Sequence, residues 1–132
     1  AIGISQLDKI EKIISLRRKN ANSLNSHFKK IPEIVIPPEP KNSKHVYQLY
    51  SILVPNSTQR NKLQKFLESK GIMSKVFFYP VHETTYYKKM QQYSLLKNTE
   101  DVSKRILSLP LYPTMTKQDL NLIKDSISEY FE

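Results

Sequence analysis

Few side chains in this sequence combine the type and the setting for chemistry, and His82 stands first among them. It follows Pro80-Val81 just beyond a predicted strand and precedes Glu83, Thr84, Tyr86 and Tyr87. Loops at strand ends are where a rigid scaffold presents functional groups, and an imidazole is the side chain that exchanges protons near neutrality. Its neighbour Glu83 does not read as a base–orienter partner, because adjacent residues seldom face each other. No second histidine or carboxylate lies at metal-ligand spacing, so no metal centre is expected. His27, beside Lys29 and Lys30 near the end of a predicted helix, reads as a surface residue at the negative helix end. His45, ahead of a strand, reads as a loop hydrogen-bonder.

Other chemistries fail on composition. The 132 residues hold no cysteine and only two glycines, Gly3 and Gly71. Disulfides and thiolate metal sites are thereby excluded, and so are phosphate-cradling loops that need glycine for close backbone approach. No serine has the flanking glycines of a nucleophile elbow. A lysine able to form a Schiff base must be desolvated, and none stands in such a context. No catalytic residue and no cofactor-binding residue is expected in this chain. The net charge of +9 raises nucleic acid as a partner. The lysines, however, are spread among acidic residues, and the densest cluster, Arg17-Arg18-Lys19, is not interleaved with aromatics. The charge therefore reads as a solvated surface, with an independent basic nucleic-acid-binding module as the alternative.

The elements that must position His82 follow from periodicity. Leu7, Ile10, Ile14, Ala21, Leu24 and Phe28 draw one apolar stripe over a helix from Ser5 to Lys30, interrupted by Arg17 and stopped by Pro32. Tyr47 to Val54 reads as a strand that is apolar on both faces, hence covered on both sides. A helix over Thr58 to Lys70, capped by Asn56 or Ser57 and ended at Gly71, presents Leu63, Phe66 and Leu67. Met73 to Phe78 is a second strand, and a tyrosine-rich loop runs from Pro80 to Lys97. Asn98 or Thr99 caps a short helix that leads into a third strand, Leu107 to Leu109. Thr116 caps the last helix, whose Leu120, Ile123 and Ile127 face the core. The fold class is α+β: a small sheet of roughly three strands packed with helices. A hydrophobic fraction of 39% and a charged fraction of 25% suit one soluble domain. With no apolar run near the roughly 20 residues that cross a bilayer and no signal-peptide layout, a cytoplasmic location is expected. The chain begins without methionine inside a helical pattern, which reads as a piece cut from something longer.

Several motifs, in order, carry a resemblance. Gly3, Gln6, Leu7, Lys9 and Arg17-Arg18 fit a Gly-x-x-Gln-Leu-x-Lys pattern leading to an Arg-rich segment. His45-Val46-Tyr47-Gln48-Leu49-Tyr50, then Arg60 through Gly71-Ile72, then Pro80-Val81-His82 with Tyr86-Tyr87 follow. Leu107-Ser108-Leu109-Pro110 with Pro113, Met115-Thr116 and Asp119 completes the set. Over almost its full length the chain resembles the C-terminal part of the DegT/DnrJ/StrS family of sugar aminotransferases. It departs from the pattern at Phe77, where many relatives carry histidine, and at Glu83-Thr84-Thr85, where relatives often place a proline.

The resemblance implies that residues 1–132 are the small C-terminal domain of a fold-type-I pyridoxal-phosphate enzyme. The N-terminal large domain, with the cofactor lysine, lies upstream. The parent would move an amino group onto a nucleotide-linked keto-sugar in amino-sugar or surface-polysaccharide biosynthesis, usually as a homodimer. By that analogy His82, Tyr79, Tyr86 and Tyr87 border the sugar-nucleotide pocket, with His82 able to donate a hydrogen bond to a sugar or phosphate oxygen. This piece alone would bind no cofactor, would be inactive, and would expose an inter-domain surface that favours self-association.

Overall fold

The computed structural model describes residues 2–90 and 95–132. Residue 1 of the opening motif and residues 91–94 of the Pro80–Lys97 loop lie outside the described residues. The elements are α1 (Ile2–Leu7), α2 (Ile10–Phe28), β1 (Tyr50–Leu53), α3 (Ser57–Ser69), a 3-10 turn (Val81–Glu83), α4 (Thr85–Met90), α5 (Lys97–Arg105), β2 (Ile106–Leu109) and α6 (Lys117–Phe131).

The expected long first helix is two helices, parted at Asp8 and Lys9. Only the C-terminal half of its apolar stripe enters the core: Ala21, Leu24 and Phe28 are buried, whereas Leu7 remains 67% exposed. α3 starts where its sequence asks, with the Asn56 side chain accepting from the Gln59 amide at 2.9 Å. It ends at Gly71, whose φ of 77° is the left-handed conformation that glycine adopts freely. Thr116 and Asp119 form a reciprocal capping box on α6. α5 departs from expectation. It begins at Lys97 rather than after Asn98 or Thr99, and no side chain at its N-cap position makes the cap. Instead the Glu100 carboxylate reaches back to the Leu96 amide at 3.2 Å.

β1 and β2 pair antiparallel, with Tyr50 opposite Leu109 and Leu53 opposite Ile106. Val35 bridges to Leu53 on the outer side of β1, and Lys75 bridges to Ser108 on the outer side of β2. The expected strand from Met73 to Phe78 is thus reduced to a single bridge, for a reason visible in the ladder. Continuing it in register would pair residue 73 with Pro110, which has no amide hydrogen. In the other direction it would pair residue 77 with Ile106, whose amide already bonds the Val102 carbonyl in the last turn of α5. β1 is likewise shorter than expected, because Tyr47 adopts a left-handed φ of 49°.

One face of the sheet carries the core. Tyr50, Ile52 and Val54 are buried together with Leu107, the Leu63 and Leu67 side chains of α3, and Leu120, Ile123 and Ile127 of α6. α6 packs against both α2 and α3. On the opposite face Ser51 and Leu53 are only half-buried, so this chain covers one side of its sheet well and the other incompletely.

Candidate functional site

The four candidate residues sit on the segment that leaves the sheet after Lys75. Tyr79 lies in irregular chain, His82 in the 3-10 turn, and Tyr86 and Tyr87 on α4, which packs on that turn. The tyrosines face solvent: Tyr79 is 63% and Tyr86 67% exposed. The Tyr86 and Tyr87 rings meet at right angles, with centroids 5.2 Å apart. Tyr79 borders a cleft of about 350 Å³, with Arg60, Pro80, Glu83 and Lys104 among its walls. Neither His82 nor the Tyr86–Tyr87 pair lines that cleft. A larger groove of about 490 Å³ lies beside it, between the Tyr47–Ser51 segment and Phe77-Phe78.

His82 is placed differently from the tyrosines, its side chain being only 11% exposed. Its Nε2 lies 3.3 Å from Glu100 Oε1 at the start of α5. A carboxylate only accepts hydrogen bonds, so Nε2 carries the hydrogen. The same Glu100 oxygen also takes the Leu96 amide. Glu83, His82 and Glu100 each bring one ligand-type atom within 4.8 Å of the others. Spacing along the chain could not show this, because Glu100 is eighteen residues from His82. Imidazole and carboxylates are a donor set that divalent metals accept, but here Nε2 and Oε1 bond to each other.

The remaining histidines divide. His45 is the expected loop hydrogen-bonder, its Nδ1 accepting from the Tyr47 amide at 2.9 Å. His27 is not a plain surface residue. Its Nε2 lies 2.9 Å from Ser128 Oγ, and the ring meets Phe28 edge-on, so it bridges α2 and α6.

The cluster that suggested a basic surface is engaged with the chain itself. Arg17 Nη1 donates to the carbonyls of Tyr47, Gln48 and Leu111 at 2.9, 3.2 and 3.0 Å. Arg18 pairs with Glu39 at 2.7 Å. The Arg18 hydrogen bond, with a further one from the His45 amide, holds the Glu39 carboxyl below the usual carboxylate range. Asn20 donates to the Tyr112 carbonyl at 2.9 Å. Sequence reasoning missed these as ties between distant segments. The only signal was a charged residue inside an apolar stripe. Two arginines engaged in this way weaken the nucleic-acid alternative.

A pyridoxal cofactor needs a desolvated lysine, and this chain does not fit that need. Among the described residues every lysine is exposed except Lys124, and Lys124 Nζ bonds Ser23 Oγ at 2.8 Å. No helix of the described residues is long and apolar enough to cross a membrane.

Residues 1–128 match the DegT/DnrJ/EryC1/StrS aminotransferase family. The chain is 30% identical over 133 residues to a GDP-perosamine synthase of Vibrio cholerae, covering 99% of this chain and 36% of that protein. It is 31% identical over 136 residues to a UDP-4-amino-4,6-dideoxy-N-acetyl-beta-L-altrosamine transaminase of Campylobacter jejuni, covering 100% of this chain and 36% of that protein. In fold it is similar to Helicobacter pylori PseC, described as an aminotransferase involved in the biosynthesis of pseudoaminic acid. The TM-score there is 0.88 at 24% identity, over 98% of this chain and 35% of that one. The chain thus spans about a third of the length of the relatives it matches.

Proposed function

The chain belongs to the DegT/DnrJ/EryC1/StrS aminotransferase family, and from that premise we propose that it is the small, C-terminal part of a sugar aminotransferase. The parent transfers an amino group to a nucleotide-linked keto-sugar. Pyridoxal phosphate, when bound, supplies the electron sink for that transfer, and a large domain outside this chain holds it through its lysine. This chain contributes no catalytic group. Its part is to close the substrate site, with Tyr79, His82, Tyr86 and Tyr87 along the border and the working unit a dimer.

The observation that carries this reading is the family match over residues 1–128. It is supported by the placement of exposed aromatics and a sheltered imidazole on one segment after Lys75. Aromatic faces and a hydrogen-bonding ring suit a sugar nucleotide, which offers a base, hydroxyls and phosphate oxygens. Removing a hydrogen-bonding side chain from such a site weakens binding, because the substrate atom it served is left unpaired in a desolvated place.

The test is to express the full-length enzyme and follow amino transfer from glutamate to nucleotide-linked 4-keto sugars. We expect turnover by the full-length protein and none by the 132-residue chain. His82→Ala should raise KM for the nucleotide sugar roughly tenfold with kcat little changed. A full-length protein that binds no pyridoxal phosphate and no nucleotide sugar would sink the proposal.

A further inference from the structure

We propose that Glu100 is the positioning residue for His82. This rests on the reading of His82 as a substrate contact.

The 3-10 turn that bears His82 follows the buried Pro80 and is packed by α4. Among the described residues it belongs to no sheet ladder, and its flanks, Pro80 and Thr84, are joined to it by local bonds. Backbone bonds set the turn but not the side-chain angles of the ring, and a directed hydrogen bond requires the imidazole within a fraction of an ångström. Glu100 holds the ring from outside the turn. One carboxylate oxygen accepts both from His82 Nε2 at 3.3 Å and from the Leu96 amide at 3.2 Å. That second bond fixes the carboxylate to the first turn of α5 rather than leaving it on a free rotor.

α5 is in turn continuous with the rigid part of the fold. Its last residue, Arg105, gives its carbonyl to the Val54 amide at 3.2 Å, and the next residue opens β2. Beyond it, Leu107 and Leu109 are buried in the core. A line of bonded groups therefore runs from the imidazole through Glu100 and α5 into the sheet. Glu100 also decides how the ring presents itself. Facing a carboxylate, Nε2 holds a hydrogen, which in the neutral ring leaves Nδ1 as the acceptor that a sugar hydroxyl can meet. Glu100 touches no substrate in this scheme. It acts through His82.

A double-mutant cycle in the full-length enzyme tests this. Glu100→Ala should raise KM for the nucleotide sugar roughly tenfold, matching His82→Ala, with kcat within about twofold of wild type. Glu100→Gln, whose amide oxygen still accepts from Nε2, should restore most of the loss. In the His82→Ala background, Glu100→Ala should add nothing further, because its effect passes through the missing ring. Additive effects of the two substitutions, or a Glu100→Ala enzyme with normal KM while His82→Ala raises it, would overturn the positioning role and leave His82 as a contact. An unchanged KM in His82→Ala overturns the substrate reading of His82 and the positioning role with it. Melting temperatures of all variants, each expected within a few degrees of wild type, separate these outcomes from a general loss of fold.

Discussion

Arg17 Nη1 lies 2.9 Å from the carbonyl oxygen of Tyr47, a non-glycine residue held at a left-handed φ of 49°. A bulky side chain at positive φ is uncommon and strained, so something must hold it there. The guanidinium does so by binding the Tyr47, Gln48 and Leu111 carbonyls from one nitrogen. The His45 ring accepts the Tyr47 amide from the other side. Three oxygens meet a nitrogen with two hydrogens, so one hydrogen is shared between two of the carbonyls. The result ties α2 to the approach of β1 and to the segment after β2, elements that are distant in sequence.

Arg17→Met keeps the apolar stem and removes the donors. It should lower unfolding free energy by about 2 kcal/mol, the cost of losing charged hydrogen bonds to partly buried carbonyls. Urea unfolding of the two chains measures it. A midpoint unchanged within error would mean that water satisfies these carbonyls equally well.

Gly71→Ala separates backbone strain from packing. A Cβ at Gly71 meets nothing within 4 Å, while φ is 77°. The substitution should therefore cost about 1 kcal/mol from the left-handed conformation alone. Gly71→Asn, tolerated in that region, should recover part of it. Thermal melts of both variants check the order.

Much of the frame was legible because it rests on local rules. Asn56 and Thr116 announce their caps, and Leu63 with Leu67, or Leu120 with Ile123 and Ile127, mark their buried faces by spacing. What was hidden depends on distant partners. Arg17 looks like a flaw in a stripe until the carbonyls 30 and 94 residues away arrive beside it. The strand expected at Met73 to Phe78 has suitable side chains, but Pro110 and the engaged Ile106 amide deny it partners. At the candidate site, His82 and the tyrosines were picked out by type and loop position. Glu100 carries no such mark, since nothing in its sequence neighbours shows that it meets an imidazole eighteen residues away.

Alkaline stability should be governed by Tyr50. Its phenol is buried, and burial, with Tyr47 nearby adding to it, pushes its pKa well up. The phenol donates to Asn25 Oδ1 at 2.8 Å. With the folded value above the unfolded one, this contribution is complete below about pH 10, the ordinary tyrosine value, and fades as pH rises beyond it. Tyr130, raised by burial as well, acts in the same direction. Tyr50→Phe should lose about 1 kcal/mol near neutrality with the hydrogen bond, yet decline less steeply between about pH 10 and 12. Denaturant midpoints across that range decide it; parallel curves for the two chains would refute the assignment.

Acid stability should depend on Asp119. Its carboxyl is held below the usual carboxylate range, first by the Thr116 amide and then by the Thr116 hydroxyl system and Tyr112. A depressed folded value stabilises above the ordinary carboxylate pKa, about 4, and is lost as pH falls through the folded one. Asp119→Asn should flatten the fall in stability below about pH 4 while slightly weakening the start of α6. Melting temperature against pH, for both chains, measures the difference.

The stripe on α1 and α2 bears on how the 132-residue chain behaves in isolation. Ala21, Leu24 and Phe28 continue toward the N-terminus as Ile10 and Leu7, but those two are exposed, as are Ile4 and, elsewhere, Phe78. A helix face is amphipathic because it is meant to be covered, and exposed contiguous apolar surface favours association. In the proposed parent, the large domain covers such surface. The isolated 132-residue chain should therefore self-associate as its concentration rises, and Leu7→Lys with Phe78→Lys should shift it toward monomer without lowering its melting temperature. Sedimentation velocity over a hundredfold concentration range reads the result. A clean monomer throughout would show that these side chains are ordinary surface residues, and the packing of this domain against a second one would lose its physical motive.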